Sequence, residues 1–330
     1  MLALFRTNQF IANSLLILYA LLLRFSVFFQ PETWTAPQHG ILSQWIYASL
    51  GVGSNAASSF AIFLIIFQAL LINIMMSELR IANEVTLLPG MFFVLFASFV
   101  PQFLYLSPLL MANTFYILAF MEIFKTYKKP SSAGKIYNAG LWIGISSLFY
   151  FSYIFFFILG FLALGILRAF NIKEGLILLF GLLNSYFILG TYAFWKDQWS
   201  LFWETQFLNN FSFLNFDIGS AVAWEWYLTI GFFFLMVLIT IFSYNHYVLK
   251  KNIQKQKYIN ILYWGLIISS LAILFQMDIR IEHIMIIVPP LSILLSFNFL
   301  NLSRPVAESI HFLLLFGSLA LQFSFLWITS

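Results

Sequence analysis

Residues 276–300, QMDIRIEHIMIIVPPLSILLSFNFL, place Asp278, Arg280, Glu282 and His283 within six residues, then enter an apolar run interrupted by Pro289 and Pro290. No other stretch sets four ionisable groups against the mouth of a hydrophobic segment. Charges at a membrane boundary are costly unless they pair or face water, so such a cluster marks a functional site by default. The competing reading is an ordinary charged turn between two spans. The rest of the chain decides what kind of protein carries this stretch.

A soluble domain carries about 25% charged residues. This chain of 330 residues carries 8%, with 62% hydrophobic residues and a mean hydropathy of +0.92. A chain folded in water must still show polar surface, so this composition predicts a polytopic membrane protein. The absence of cysteine excludes disulfides, thiolate catalysis and Cys-ligated metals. His39, His246, His283 and His311 are too scattered for a zinc-type motif, and carboxylates leave Mg²⁺ or Mn²⁺ as the cofactor still open. A formal charge of +4 is too small to point to nucleic acid. Residues 10–29 are too long for a signal-peptide core and lack a small-residue cleavage site, so they are expected to remain as a first span.

Crossing the hydrocarbon core takes about 20 apolar residues as a helix. Runs of that kind lie near 10–29, 58–77, 87–104, 107–124, 136–149, 151–168, 175–194, 226–245, 260–276, 284–301 and 309–327. Residues 136–168 read equally as two short helices or one long kinked helix. Cytoplasmic loops hold the excess of Lys and Arg. With the N-terminus inside, 13 of the 16 basic residues fall inside, leaving Arg24, Lys196 and Arg280 for the outer half. Eight of the ten tryptophans fall at the outer face, where an apolar ring with an N–H donor is at home. The expectation is a single all-α polytopic domain over 1–330, with about eleven transmembrane helices, N-terminus in and C-terminus out, in a bacterial inner membrane. Two outer loops are long. ILSQWIYASLG at 41–51 sets Ile41, Leu42, Trp45, Ile46 and Leu50 on one face, and residues 201–216 are again amphipathic, so both loops are expected to carry interfacial helices. The short basic inner loops read as topology signals touching anionic lipid.

Arg24 lies inside the apolar run ALLLRFSVFFQ, roughly 8–9 Å below the outer interface at 1.5 Å per residue. It must snorkel or find a buried partner. If buried, its guanidinium suits a phosphate, or a carboxylate such as Glu32 or Asp278. Arg280 and His283 are three apart and share a face if a helix begins early. With Asp278 and Glu282 interleaved, a self-paired network and a phosphate clamp both fit. Asp197, Glu204, Asp217 and Glu225 are too spread to form a pair, and Glu122 and His311 receive no role.

Three runs resemble the GT-C superfamily of membrane glycosyltransferases, which take a sugar from a polyprenyl-phosphate carrier. EHIMIIVPPL at 282–291 is similar to that family's RYLLPLLPPL-like run. AGLWIG at 139–144 is similar to its AGLLLG. LLINIMMSELRIANEVTLLPGMFFVLF at 70–96 has the layout of the span, basic turn and span after its first outer loop. The chain departs from the family at three places. Its first outer loop holds one acid, Glu32, instead of an acidic pair. Tyr150 stands at the place of a basic residue, and Glu282 stands where the family has Arg. The resemblance implies Glu32 as base or metal ligand, with His39 assisting. It implies Arg24, Arg280 and His283 around the lipid phosphate, Asp278 and Glu282 beside them, and a dry groove for the polyprenyl tail. Two other readings remain. One is a non-catalytic scaffold or lipid-binding subunit of a membrane complex, which the missing acidic pair favours. The other is a transporter or flippase, against which the lack of an internal repeat counts.

Overall fold

Backbone N–H and C=O groups in an apolar medium must be satisfied within the chain, which leaves helices as the default for apolar runs of this length. The computed structural model describes residues 2–6, 10–29, 40–81, 86–129, 131–168, 171–210, 224–249, 251–275 and 280–323, and among these no strand occurs. The helices are α1 (Leu2–Phe5), α2 (Phe10–Arg24), α3 (Ile41–Leu50), α4 (Asn55–Leu79), α5 (Leu88–Phe96), α6 (Pro108–Phe124), α7 (Ala133–Phe149) and α8 (Phe156–Leu167). They continue with α9 (Ile172–Trp195), α10 (Trp199–Gln206), α11 (Trp224–Phe242), α12 (Tyr244–Val248), α13 (Ile253–Leu274), α14 (Val288–Asn301) and α15 (Arg304–Gln322).

Each of the eleven apolar stretches holds a helix. Among the described residues, however, only α4, α9, α13 and α15 are long and apolar enough to cross a membrane by themselves. Four of the others, α2, α5, α8 and α14, share their stretches with 3-10 turns at Phe25–Phe28, Pro101–Phe103, Phe151–Phe155 and Ile281–Ile286. Residues 136–168 form two helices, broken at Tyr150, whose backbone is extended. Pro289 and Pro290 fall in the first turn of α14, where a missing N–H costs no intrahelical bond.

Helices apolar on every side belong in the interior, and α5, α6 and α14 are buried along nearly their whole lengths. Around them α9, α11 and α15 expose Phe180, Phe187, Phe234, Leu235, Leu313 and Phe316. So much outward-facing apolar surface fits a lipid surround. Small residues let α7 and α9 approach closely. A Cβ on Gly140 would run into the Leu178 carbonyl, and one on Gly181 into the Tyr137 carbonyl. The AGLWIG run therefore serves helix packing.

Long-range side-chain bonds gather the helix ends into two groups. At one end, Arg6 Nη2 donates to Phe299 O at 2.8 Å and Leu302 O at 3.3 Å. Lys257 Nζ donates to Leu167 O at 3.3 Å, and Arg168 to the carbonyls of Thr126 and Lys129. These cations meet the carbonyls that helix C-termini leave without partners. Lys125–Glu78 at 2.9 Å and Arg168–Glu174 at 3.0 Å are ion pairs at the same end. The other end is tied together by α3. The Gly40 N–H and Ser43 Oγ both donate to Phe149 O at 2.9 Å, and Tyr47 Oη donates to Leu106 O at 2.7 Å. The expected helix at 41–50 is therefore present. Its apolar face packs on the core only in part, and polar Ser43 and Tyr47 do the anchoring.

Candidate functional site

At the α3 end, three non-helical segments meet. The first is residues 97–107. α5 stops at Phe96, and Pro101, which has no N–H to give, keeps that helix from running on through it. The stranded carbonyls need donors, because each unsatisfied group in apolar surroundings costs several kcal/mol. Arg24 supplies them. Its Nε donates to Ser98 Oγ at 3.1 Å, and its Nη2 to Ala97 O at 3.2 Å and to Phe103 O. Ser318 Oγ at 3.1 Å and the Gln322 amide donate to Ser98 O. Arg24 is 0% exposed. Of the two fates open to it, burial is the one realised, and its partners among the described residues are backbone carbonyls and a serine. Its Nη1 has no hydrogen-bond partner among the described residues.

The second segment is the 3-10 turn Ile281–Ile286, which precedes α14 and packs on the Pro101–Phe103 turn. His283 Nδ1 accepts the Arg280 backbone N–H at 2.9 Å. A neutral ring that accepts at Nδ1 carries its proton on Nε2, which then donates to Tyr150 Oη at 2.7 Å. Burial, reinforced by the Arg280 charge, pushes the His283 pKa down to about 3, so the ring is neutral at physiological pH. Asn113 Nδ2 donates to Met285 O at 3.1 Å, and Tyr153 Oη donates to Asn113 Oδ1 at 2.8 Å. Glu282 is 6% exposed. Burial pushes the Tyr47 hydroxyl pKa up, and the Glu282 charge adds to the effect, which sets Glu282 within electrostatic reach of α3. The third segment is the break at Tyr150.

Of the residues expected to form the site, Glu32, His39 and Asp278 lie outside the described residues. Arg280, Glu282 and His283 are together on one turn, with Arg280 half-buried and the other two buried. Arg24 meets them indirectly, through the Phe103 carbonyl of the turn that packs on theirs. His283 contributes hydrogen bonds to the site and carries no positive charge. Among the described residues no group of three His, Asp or Glu gathers around a point that could hold a metal ion. Sequence reasoning missed Tyr47, Asn113 and Tyr153, and noted Tyr150 only as a departure from the family's pattern. Asn113 alone had a local signal, an amide inside the apolar run PLLMANTFY.

Beside this end, α9 and α10 enclose a groove of about 580 Å³, lined by Tyr186, Phe187, Phe194, Trp199, Trp203 and Phe207 among others. Gly190 leaves its floor open, and Trp199 and Trp203 are half-exposed.

No protein-family model matches the chain, and no curated protein matches it in sequence. Among solved structures, ArnT from Cupriavidus metallidurans, determined bound to undecaprenyl phosphate, is similar, with a TM-score of 0.51 and 12% identity over 86% of this chain. The chain spans 55% of that protein's length. At this identity the likeness concerns the fold alone: among the described residues the chain is helical throughout its regular structure, carries four helices long and apolar enough to cross a membrane, and is folded in a way similar to ArnT.

Proposed function

We propose that the protein transfers a sugar from a polyprenyl-phosphate carrier to an acceptor at the outer face of a bacterial inner membrane. The chain would cross about eleven times, with the α3 end outside. The observation that carries this reading is the meeting of three non-helical segments with Arg280, Glu282, His283 and Tyr150 at one end of an apolar bundle. Non-helical backbone at membrane depth is tolerated where it is buried in protein or lines a cavity, and ionisable groups placed there are functional by default.

Negative charge grows on the departing lipid phosphate, so preorganised donors around it lower the barrier. Half-buried Arg280 suits that task, since a guanidinium grips phosphate with two parallel hydrogen bonds. Arg24 adds positive charge and fixes the 97–107 backbone. His283 holds Tyr150 and the Arg280 backbone in place. The aromatic groove between α9 and α10 takes the polyprenyl tail. Two carboxylates are available to receive the acceptor's proton, Glu32 and Glu282. A divalent cation at this end would need ligands from Glu32 or Asp278, because the described residues do not supply a set.

A non-catalytic GT-C-like lipid-binding subunit is the second reading. It is favoured by the way Nε and Nη2 of Arg24 and both His283 nitrogens are spent on intramolecular partners. One experiment separates the two. Purified wild type and Arg280→Ala are assayed for polyprenyl-phosphate binding and for turnover of a panel of polyprenyl-phosphate sugars. The enzyme reading expects turnover by wild type, with about 10-fold or greater loss of affinity in the variant, the size of one charge-assisted contact. Tight binding without turnover of any donor would favour the subunit, and absence of both would end the proposal.

A further inference from the structure

At the end of the bundle opposite α3, cations from separate parts of the chain converge on one turn. Arg168, at the end of α8, donates to the carbonyls of Thr126 and Lys129 and to Ser132 Oγ. Lys257 of α13 donates to Leu167 O at 3.3 Å and lies 5.6 Å from the centre of the Tyr127 ring. Lys128 lies 5.6 Å from the same centre. Its backbone is held at φ 52°, a left-handed conformation unfavourable for a residue with a Cβ. A topology signal needs only that lysines fall in the right loop; it does not need two of them fixed on one ring.

The charges here do not cancel. Glu78 pairs with Lys125 and Glu174 with Arg168, and Glu122 faces Lys135, which Lys129 and Lys125 crowd. Among the described residues, Lys128, Lys129 and Lys257 form no ion pair with a carboxylate. Lys257 Nζ uses one of its three donors on Leu167 O, and Lys128 Nζ meets only the ring. Cations gathered in this way repel one another until an anion joins them. Beneath them runs an apolar stripe. Trp264 and Leu271 follow Lys257 at seven-residue steps along α13, on the same side of the helix, and are 41% and 46% exposed. Trp264 is about 10 Å deeper than Lys257 at 1.5 Å per residue. A soluble anion has no use for that stripe, whereas acyl chains do.

We propose that this end holds a site for an anionic phospholipid, its headgroup phosphate between Lys128 and Lys257 with Lys129 beside them, and its acyl chains along Trp264 and Leu271. The site is distinct from the α3 end and does not depend on the glycosyltransferase reading. In the proposed orientation it draws on the inner leaflet. Phosphatidylethanolamine would set an ammonium of its own against these lysines, so the site selects phosphatidylglycerol over it.

Native mass spectrometry of the purified, delipidated chain, titrated with each of these two lipids, tests the site. Wild type is expected to bind phosphatidylglycerol the more tightly. Lys128→Gln combined with Lys257→Gln should weaken phosphatidylglycerol by about 10–30-fold, at about 5-fold for each lysine near a membrane surface, and leave phosphatidylethanolamine unchanged. Lys196→Gln combined with Arg304→Gln removes as much charge from exposed positions elsewhere and should change neither affinity. Glycerol 3-phosphate, which offers the phosphate without the chains, should not displace the lipid. Should the first double variant misfold, Lys128→Gln alone, at an exposed position, decides the question by the same comparison. Equal affinity of wild type for the two lipids would overturn the site. So would equal losses in the lysine variants and their charge-matched control, or displacement by glycerol 3-phosphate.

Discussion

With its guanidinium fully buried, Arg24 holds Ser98, Ala97 and Phe103 together across a turn that proline keeps out of the helix. Removing it leaves those acceptors stranded in an apolar interior, so Arg24→Ala is expected to cost about 3–5 kcal/mol. Arg24→Lys should recover little, because an ammonium on a flexible stem does not reproduce the planar fork. Thermal unfolding in detergent measures both. His283 makes a pH prediction. Its folded pKa of about 3 lies below the unfolded value of 6.5. Between those values the unfolded chain binds a proton that the native ring does not, so stability rises with pH. The contribution is fully present above pH 6.5 and is lost progressively as pH falls toward 3. Carboxylates titrate in the same range, so the readout is a difference: wild type should lose more stability than His283→Gln between pH 6.5 and pH 4.5, with equal loss contradicting the assignment. Neither residue's partners were legible in the sequence. Tyr150 lies 133 positions from His283, and the Arg24 acceptors are main-chain atoms whose exposure depends on where α5 stops.

Helices were legible because hydropathy reports them directly; their interruptions were not. A 3-10 turn such as Ile281–Ile286 has the same apolar composition as a helix, and only its hydrogen bonds differ. The four-charge cluster was thus visible, while the inward turn that buries Glu282 and His283 was hidden. Helix α3 was read from its apolar spacing, yet the same pattern gave no weight to Ser43 and Tyr47, which fasten it. AGLWIG was visible as a motif, and its physical role is contact between α7 and α9. Gly140→Leu should therefore destabilise by about 1–3 kcal/mol or more through overpacking. Gly134 sits in the same helix with open space around its Cβ position. Gly134→Ala is accordingly expected to be neutral or to stabilise by about 0.5–1 kcal/mol. Equal effects at the two positions would contradict the close approach of the helices.

For the molecule as a whole, the basic residues were read as a topology signal. In the fold Arg6, Arg168 and Lys257 also hold helix C-terminal carbonyls at a common end. The proposed orientation puts that end inside. The absence of cysteine makes it testable by single thiols. Lys128→Cys should react with an impermeant maleimide only from the cytoplasmic side and Val52→Cys only from the outside, whereas reaction of both from one side would refute the alternation. The central claim is that the α3 end receives a polyprenyl phosphate, with its phosphate at the 280–286 turn and its tail in the groove between α9 and α10. Photo-crosslinking tests this most directly, using one polyprenyl-phosphate probe reactive near the phosphate and another reactive along the tail, with adducts located by mass spectrometry. The account predicts headgroup adducts on residues 280–286 and tail adducts around Phe194, Trp199 and Trp203, both competed by unlabelled polyprenyl phosphate. Adducts scattered over the outward faces of α11 and α15, indifferent to competition, would contradict it.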